Sequence, residues 1–250
     1  MSNVDPSLVL SITHRLHDVQ ALISSACHEA NRVPSSVALL AVTKTHTAEV
    51  VAAAYAAGLR DFGENYVQEG ADKIVALQQL MGINDARWHF IGPLQSNKTR
   101  IIAEHFDWMH SVDRFKIAQR LSEQRPASLA PLNICLQVNI SDETSKSGCK
   151  VSEALELSLN ISQLPRLKLR GLMAIPAPVN EEANVSEQRA PFLALTQLFE
   201  RIKIALPNEV QAHFDTLSMG MSDDYTHAIH AGSTMIRIGS ALFGNRNYTQ

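Results

Sequence analysis

Lys44 is the residue whose type and setting point most directly to chemistry. It follows the apolar run Val37-Ala38-Leu39-Leu40-Ala41-Val42 and stands in Thr43-Lys44-Thr45. A lysine delivered by a buried strand is partly desolvated, and desolvation disfavours the ammonium. The free amine that results attacks carbonyls and forms a Schiff base. A lysine that merely extends its charged head into solvent fits the same residues equally well.

A second group gathers late in the sequence. Leu217-Ser218-Met219-Gly220-Met221-Ser222 runs into Asp223 and Asp224, and Arg237-Ile238-Gly239-Ser240 follows a helix-like stretch. Gly220 and Gly239 let backbone N–H groups approach an anion, and the Ser218 and Ser240 hydroxyls can donate to it. Ser222 suits the N-cap of the helix that Asp223 and Asp224 would begin. An amine opposite a phosphate site leaves two chemistries open. One is an aldolase acting on a sugar phosphate. The other is a bound pyridoxal 5′-phosphate cofactor, its aldehyde at Lys44 and its phosphate at the later loops.

These residues need a frame that brings them together. Eight strand-like runs are expected at 37–42, 59–64, 87–91, 106–111, 132–139, 167–174, 214–219 and 235–238. Helical patterns fall between them at 48–57, 66–80, 97–104, 113–124, 151–162, 187–205 and 223–231, and an extra helix over 7–31 precedes the first strand. Strict alternation implies parallel strands with crossover helices, so the expected fold is α/β, a single (β/α)8 TIM barrel over residues 1–250. A doubly wound open sheet is the alternative, but no glycine-rich phosphate loop follows the first strand. In a barrel the C-terminal strand ends form the mouth. They carry Lys44, Gly63-Glu64-Asn65, His89, His110-Ser111, Asn139, Met173, Ser218-Met219-Gly220 and Arg237 to Ser240. The amine and the anion site are expected on opposite walls of this mouth. The loop over 176–187 overhangs it, and a solvated loop is favoured there over a lid.

Composition narrows the function further. Lys plus Arg number 22 and Asp plus Glu 25, a net charge of −3, which argues against a nucleic-acid-coating role. No apolar run approaches the length of a membrane span, and no leader-like segment is visible at the start, so a cytoplasmic protein without membrane attachment is expected. Three scattered cysteines make neither a disulfide framework nor a zinc site. His14 with His17, and His227 with His230, share helix faces but lack further ligands, and read as surface residues. His89 reads as a hydrogen-bonded core histidine in preference to a ring that stacks on a cofactor. Cys135 reads as a buried strand residue and Cys149 as a loop thiol. The absence of an evident long apolar surface suggests a monomer.

Ordered blocks along residues 7–245 also match a known family. They include Ala41 to Thr45, Phe62-Gly63-Glu64-Asn65-Tyr66, Trp88-His89-Phe90-Ile91-Gly92-Pro93, His110 to Asp113, Arg170 to Pro176, Leu217 to Ser222 and Gly232 to Gly239. In these blocks the sequence resembles the pyridoxal phosphate homeostasis proteins, whose fold is like the barrel domain of alanine racemase. Thr43 stands where that family often has Ser. The resemblance implies a cofactor site of Lys44, Asn65, Met173, Ser218, Met219, Gly220, Arg237, Gly239 and Ser240. Lys44 would carry pyridoxal 5′-phosphate as a Schiff base and Asn65 would lie near its ring. Ser218, Gly239 and Ser240 would hold the phosphate, with Met219 and Gly220 lining the site. Arg237 would face the pyridine nitrogen. The implied role is to buffer the cofactor and deliver it to apo-enzymes. A weakly active racemase or lyase is the alternative. The sequence ends soon after the eighth strand, and its four tyrosines, Tyr55, Tyr66, Tyr225 and Tyr248, do not come from an added domain. An open site short of a second acid–base group is therefore expected.

Overall fold

Runs of apolar residues bounded by glycines and polar turns form short strands here, each followed by a return helix. The computed structural model describes residues 4–143, 146–177 and 183–244. The strands are β1 (Ala38–Val42), β2 (Asp61–Glu64), β3 (Arg87–Phe90), β4 (Trp108–Val112), β5 (Leu132–Asn139), β6 (Cys149–Lys150), β7 (Leu167–Met173), β8 (Thr216–Ser218) and β9 (Met235–Ile238). Their hydrogen-bonded order is β4-β3-β2-β1-β9-β8-β7-β5, and a further pairing of β4 with β5 closes the ring. All pairings are parallel, as return helices require. The result is the expected closed eight-stranded barrel. The two-residue β6 lies outside the ring and pairs only with β5.

The helices are α1 (Pro6–Glu29), α2 (Ala48–Ala56), α3 (Val67–Met81), α4 (Thr99–His105), α5 (Phe115–Gln124), α6 (Ala154–Ser162), α7 (Val185–Ala205), α8 (Asn208–Gln211), α9 (Tyr225–His230) and α10 (Ser240–Phe243). The extra helix α1 buries Ile12, Leu16, Val19, Ile23 and Ala26. That spacing of three and four residues makes one apolar stripe, which packs on α2, α9 and α10. It covers the seam where the first and last strands meet.

Most apolar side chains form one core between the strands and the helices. A separate small cluster of Trp108, Cys135 and Met173 lies apart from it, within the ring. Gly171 shows how tightly β7 is drawn to β8. Its φ is +155°, and a Cβ there would meet the Thr216 carbonyl oxygen at 1.8 Å.

Several expectations are corrected. Strands four and seven begin two residues later than expected, because Phe106 and Phe214 are buried without pairing. Apolar burial and strand pairing look alike in sequence. Helices α8 and α10 are too short to show a period. Cys149 lies in β6, buried, and burial pushes its thiol up to about 12. It is therefore a buried strand residue, not the loop thiol expected, and it is protonated and unreactive at neutral pH. Cys135 is the expected buried hydrophobe, with its thiol likewise pushed up to about 12. Residues 178–182 of the loop expected to overhang the mouth, and Tyr248, lie outside the described residues. No described helix is long and apolar enough to cross a membrane.

Candidate functional site

The turn that carries Lys44 is built from β1 outward. Thr43 is fully buried and still pairs with β2, its N–H donating to the Gly63 carbonyl at 2.9 Å. Its side chain points outward, where the hydroxyl donates to Glu64 Oε1 at 2.6 Å. By strand alternation Lys44 follows on the inner side, half-buried. Thr45 then adopts a left-handed φ of +66°, costly for a β-branched residue. Glu69 holds it there, Oε1 accepting the Thr45 N–H at 2.6 Å. Lys73 fastens the assembly from α3. Its ammonium donates to the Thr43 carbonyl at 2.8 Å, Glu64 Oε1 at 2.9 Å and Glu69 Oε1 at 2.6 Å, which uses all three protons. Burial pushes the Glu64 carboxyl above the usual range, against the pull of Lys73.

The loops after β8 and β9 lie beside this turn. The expectation of opposite walls is wrong for a topological reason: closure of a barrel makes its first and last strands neighbours, and here Leu40 pairs with Arg237 and Ala41 with Ile238. A Cβ on Gly239 would lie 3.4 Å from Val42 Cβ. The His46 ring packs on Phe243 of α10 with centroids 5.0 Å apart, joining the two loops at their tips. Gly220 has φ +96°, and a Cβ there would press on Ala228 Cβ at 2.6 Å. That position requires glycine. The hydroxyls of Ser222 and Ser240 approach to 3.5 Å across the two loops.

Three sequence readings change at these loops. Ser222 is not the helix cap; α9 starts later, with Asp224 at the N-cap position and its Oδ1 accepting the Met221 N–H at 2.6 Å. Ser222 is thereby left facing Ser240 at the rim. Ser218 points below the rim into the barrel, because it is the last residue of β8 and faces inward. Its hydroxyl bonds to His110 Nδ1 at 2.8 Å and accepts from Arg237 Nη1 at 2.9 Å. It is committed to protein partners and not turned to the rim. The Met219 side chain is part of the core between barrel and helices, so it does not line the mouth. Its N–H donates to the Met235 carbonyl at 3.1 Å and its carbonyl accepts from Ser233 at 2.7 Å.

Arg237 projects into the barrel. Nη1 also donates to the Ser218 carbonyl at 2.7 Å, and Nη2 donates to the Ala174 carbonyl at 3.1 Å. Burial lowers its pKa to about 10, which still leaves it a cation at neutral pH. Met173 pairs with Ser218 and lies beneath the mouth with Trp108 and Cys135. Asn65 follows β2 at the mouth, and its Oδ1 is buried with no hydrogen-bond partner among the described residues. Asn139 Oδ1, at the end of β5, is in the same state. Orphaned acceptors of this kind cost about 1–3 kcal/mol each and are rare without a reason.

Beneath the mouth lies a row of polar side chains that sequence reasoning did not connect. Asp61 Oδ1 meets His89 Nε2 at 3.0 Å, His89 Nδ1 meets His110 Nε2 at 3.0 Å, and His110 Nδ1 meets Ser218. Burial lowers the pKa of both histidines, so both are neutral. His89 is therefore the hydrogen-bonded core histidine favoured from sequence. The only signal for the row was the period-two placement of polar residues on otherwise apolar strands. Among the described residues no cluster of three His, Cys, Asp or Glu side chains could hold a metal.

The fold and mouth define a barrel of the alanine racemase type, and the family described as alanine racemase, N-terminal domain, matches residues 18–247. A solved alanine racemase from Corynebacterium glutamicum superposes with a TM-score of 0.65 at 13% identity, over 96% of this chain and 62% of that one. That likeness is one of fold. The chain belongs, more particularly, to the pyridoxal phosphate homeostasis protein family: the member from Haemophilus influenzae is 55% identical over 96% of this chain and 98% of its own length. The structure of PipY from Synechococcus elongatus with PLP bound has a TM-score of 0.78 at 36% identity, over 93% of this chain and all of that one.

Proposed function

We propose that the barrel mouth binds pyridoxal 5′-phosphate and that the protein buffers this cofactor and hands it to apo-enzymes. The carrying observation is the convergence, on adjoining strand ends, of half-buried Lys44 with the facing Ser222 and Ser240 hydroxyls over Gly220 and Gly239. When bound, the cofactor supplies an aldehyde that condenses with an amine and a ring that withdraws electrons. Lys44 is the amine placed to meet that aldehyde. Gly220, Ser222, Gly239 and Ser240 would hold the phosphate, and Ser218 acts below them on Arg237. The buried, unpartnered Oδ1 of Asn65 fits a polar group that arrives with the ligand. Arg237 opposes protonation of any ring nitrogen placed beside it, which makes the ring a weaker electron sink. The family's name and the PLP-bound PipY support the same reading.

A carrier is favoured over a racemase by where the described tyrosines lie. Tyr55 on α2 bonds to Asp85, Tyr225 packs against the core, and Tyr66 is 56% exposed on the rim. None of the three stands inside the barrel as a second acid–base group. On this reading the whole chain works as one unit, as a monomer in the cytoplasm. Incubation with pyridoxal 5′-phosphate, borohydride reduction and peptide mapping tests it. A pyridoxyl mass is expected on the Lys44 peptide and is lost in Lys44→Ala. A label on another lysine, or none, removes the proposal.

A further inference from the structure

Asp61, His89, His110, Ser218 and Arg237 join end to end across the barrel interior, from its floor to just below its mouth. The ends of the row are chemically opposite. Arg237 only donates hydrogen bonds, and an ionised Asp61 only accepts them. Asp61 is ionised: the partners Arg87 and His89 hold its carboxyl far below the usual range despite its burial. Each link is then forced in turn. His89 Nε2 must carry the proton it gives to Asp61. A neutral His89 therefore offers a lone pair at Nδ1, so His110 Nε2 carries a proton. His110 Nδ1 in turn accepts, and Ser218 must point its hydroxyl proton at it. That leaves the Ser218 oxygen lone pairs for Arg237.

We propose that this row is a one-way clamp on Arg237, with Asp61, His89, His110 and Ser218 as positioning residues, and that it conducts no proton to the mouth. A row that starts on a guanidinium cannot release a proton at that end, because arginine stays protonated. A row that ends on a carboxylate fixes every hydroxyl and imidazole between. Ser218 thus meets Arg237 only as an acceptor and holds Nη1 at a set place. At His89 burial outweighs the Asp61 and Asp107 carboxylates, which favour a charged ring, and at His110 burial and the Arg237 cation both favour neutrality. His89 faces Asp61, His110 and the stacked Trp108 ring, with Arg87 and Asp107 further off. His110 faces His89, Ser218, Trp108 and the Arg237 cation. Arg237 faces Ser218 and the Ala174 carbonyl, with Asp224 and a neutral Cys135 beyond.

The existence of the clamp does not depend on the cofactor; its purpose rests on the proposed function. Nitrogen-15 NMR of histidine-labelled, cofactor-free protein reads it directly. His89 and His110 are expected as neutral Nε2–H tautomers, unchanged from pH 8 to pH 7. An Nδ1–H tautomer at His110, or either ring titrating in that interval, overturns the clamp. Asp61→Asn offers a group that donates as well as accepts, so direction is no longer enforced. The second tautomer should appear at both rings together; independent changes at the two rings count against the row. Ser218→Ala should weaken retention of pyridoxal 5′-phosphate about tenfold, as loss of a hydrogen bond to a charged group does, and Ser218→Thr should restore it. Full retention in Ser218→Ala overturns the positioning role. If Lys44 fails to take the label while the tautomers stand, the cofactor reading falls and the clamp survives.

Discussion

At the floor of the barrel Arg87 grips Asp61 through Nε at 2.6 Å and Nη2 at 2.5 Å, and Arg170 grips Asp215 at 3.0 and 2.8 Å. At the mouth the Asn65 and Asn139 amide oxygens are buried without a partner among the described residues. The same strands supply both ends. At the floor, charged forks close on carboxylates, and the Arg170 guanidinium also lies over the Trp108 ring at 4.6 Å. Such pairs rigidify the ring of strands and ask for nothing more. At the mouth, these two amide oxygens are held in place at strand ends without being satisfied, as a site that receives a polar group from a ligand would hold them. The contrast separates what holds the barrel from what the barrel holds.

One part of the mouth is held by charged pairs as the floor is, although Glu64 Oε2 is buried without a partner among the described residues, and breaking it should have the largest effect. Lys73 ties the Lys44 turn to α3 through three acceptors, with Glu64 fully buried beside it. Lys73→Met keeps the volume and strands a buried carboxylate. Removing one partner of a buried pair costs about 3–5 kcal/mol. Urea unfolding should show a loss of that order, and Glu64→Gln in the same background should recover part of it by removing the stranded charge. A loss well under 1 kcal/mol would mean the turn is held elsewhere, and the mouth would have no rigid footing of its own.

The closed end and the open end were not equally legible in sequence. Continuous apolar runs such as Val37 to Val42 announced buried parallel strands, and the alternation with helices gave the barrel. Lys44, Gly220 and Gly239 were legible because a lysine after an apolar strand and glycines after late strands are local signals. Lys73 and Glu64 were not. Lys73 sits on a helix where a surface lysine is the ordinary reading, and only its packing against β1 and β2 makes it internal. The row from Asp61 to Arg237 joins residues from five strands, and no spacing within one sequence reports a contact between side chains 108 positions apart such as His110 and Ser218. Ser222 was read as a cap because its local sequence suits one; the actual start of α9, set by packing, freed it.

The interior row supplies a middle-sized test of the comparison, since it connects the two ends. Burial lowers the pKa of His89 and His110, while in the unfolded chain each titrates near about 6.5. Below that pH the unfolded state binds more protons than the folded one. Stability therefore falls as pH drops through about 6.5, by about 1.4 kcal/mol per pH unit for each buried neutral histidine, and is unaffected by them above it. Urea midpoints at pH 7.5 and 5.5 should show the fall, and His110→Asn should flatten it by one histidine's share. An equal slope in wild type and variant would mean that water reaches the interior, so that floor and mouth are not separated by a sealed layer.

Asn65→Ala should have the smallest effect on stability and is the sharpest probe of the open end. At the floor, truncating a paired side chain removes contacts that the folded state uses. At Asn65 the truncated amide oxygen has no partner among the described residues, so its removal relieves a desolvation cost while some packing is lost. The two terms oppose, and the net change in unfolding free energy should be under about 1 kcal/mol, of either sign. Affinity for pyridoxal 5′-phosphate should nonetheless fall about tenfold, the equivalent of one hydrogen bond made only with the ligand. Urea unfolding of the cofactor-free variant and spectroscopic titration with the cofactor give the two numbers. A variant that loses 2 kcal/mol of stability and none of its affinity would place Asn65 among the groups that hold the barrel, and the division between floor and mouth would lose its clearest member.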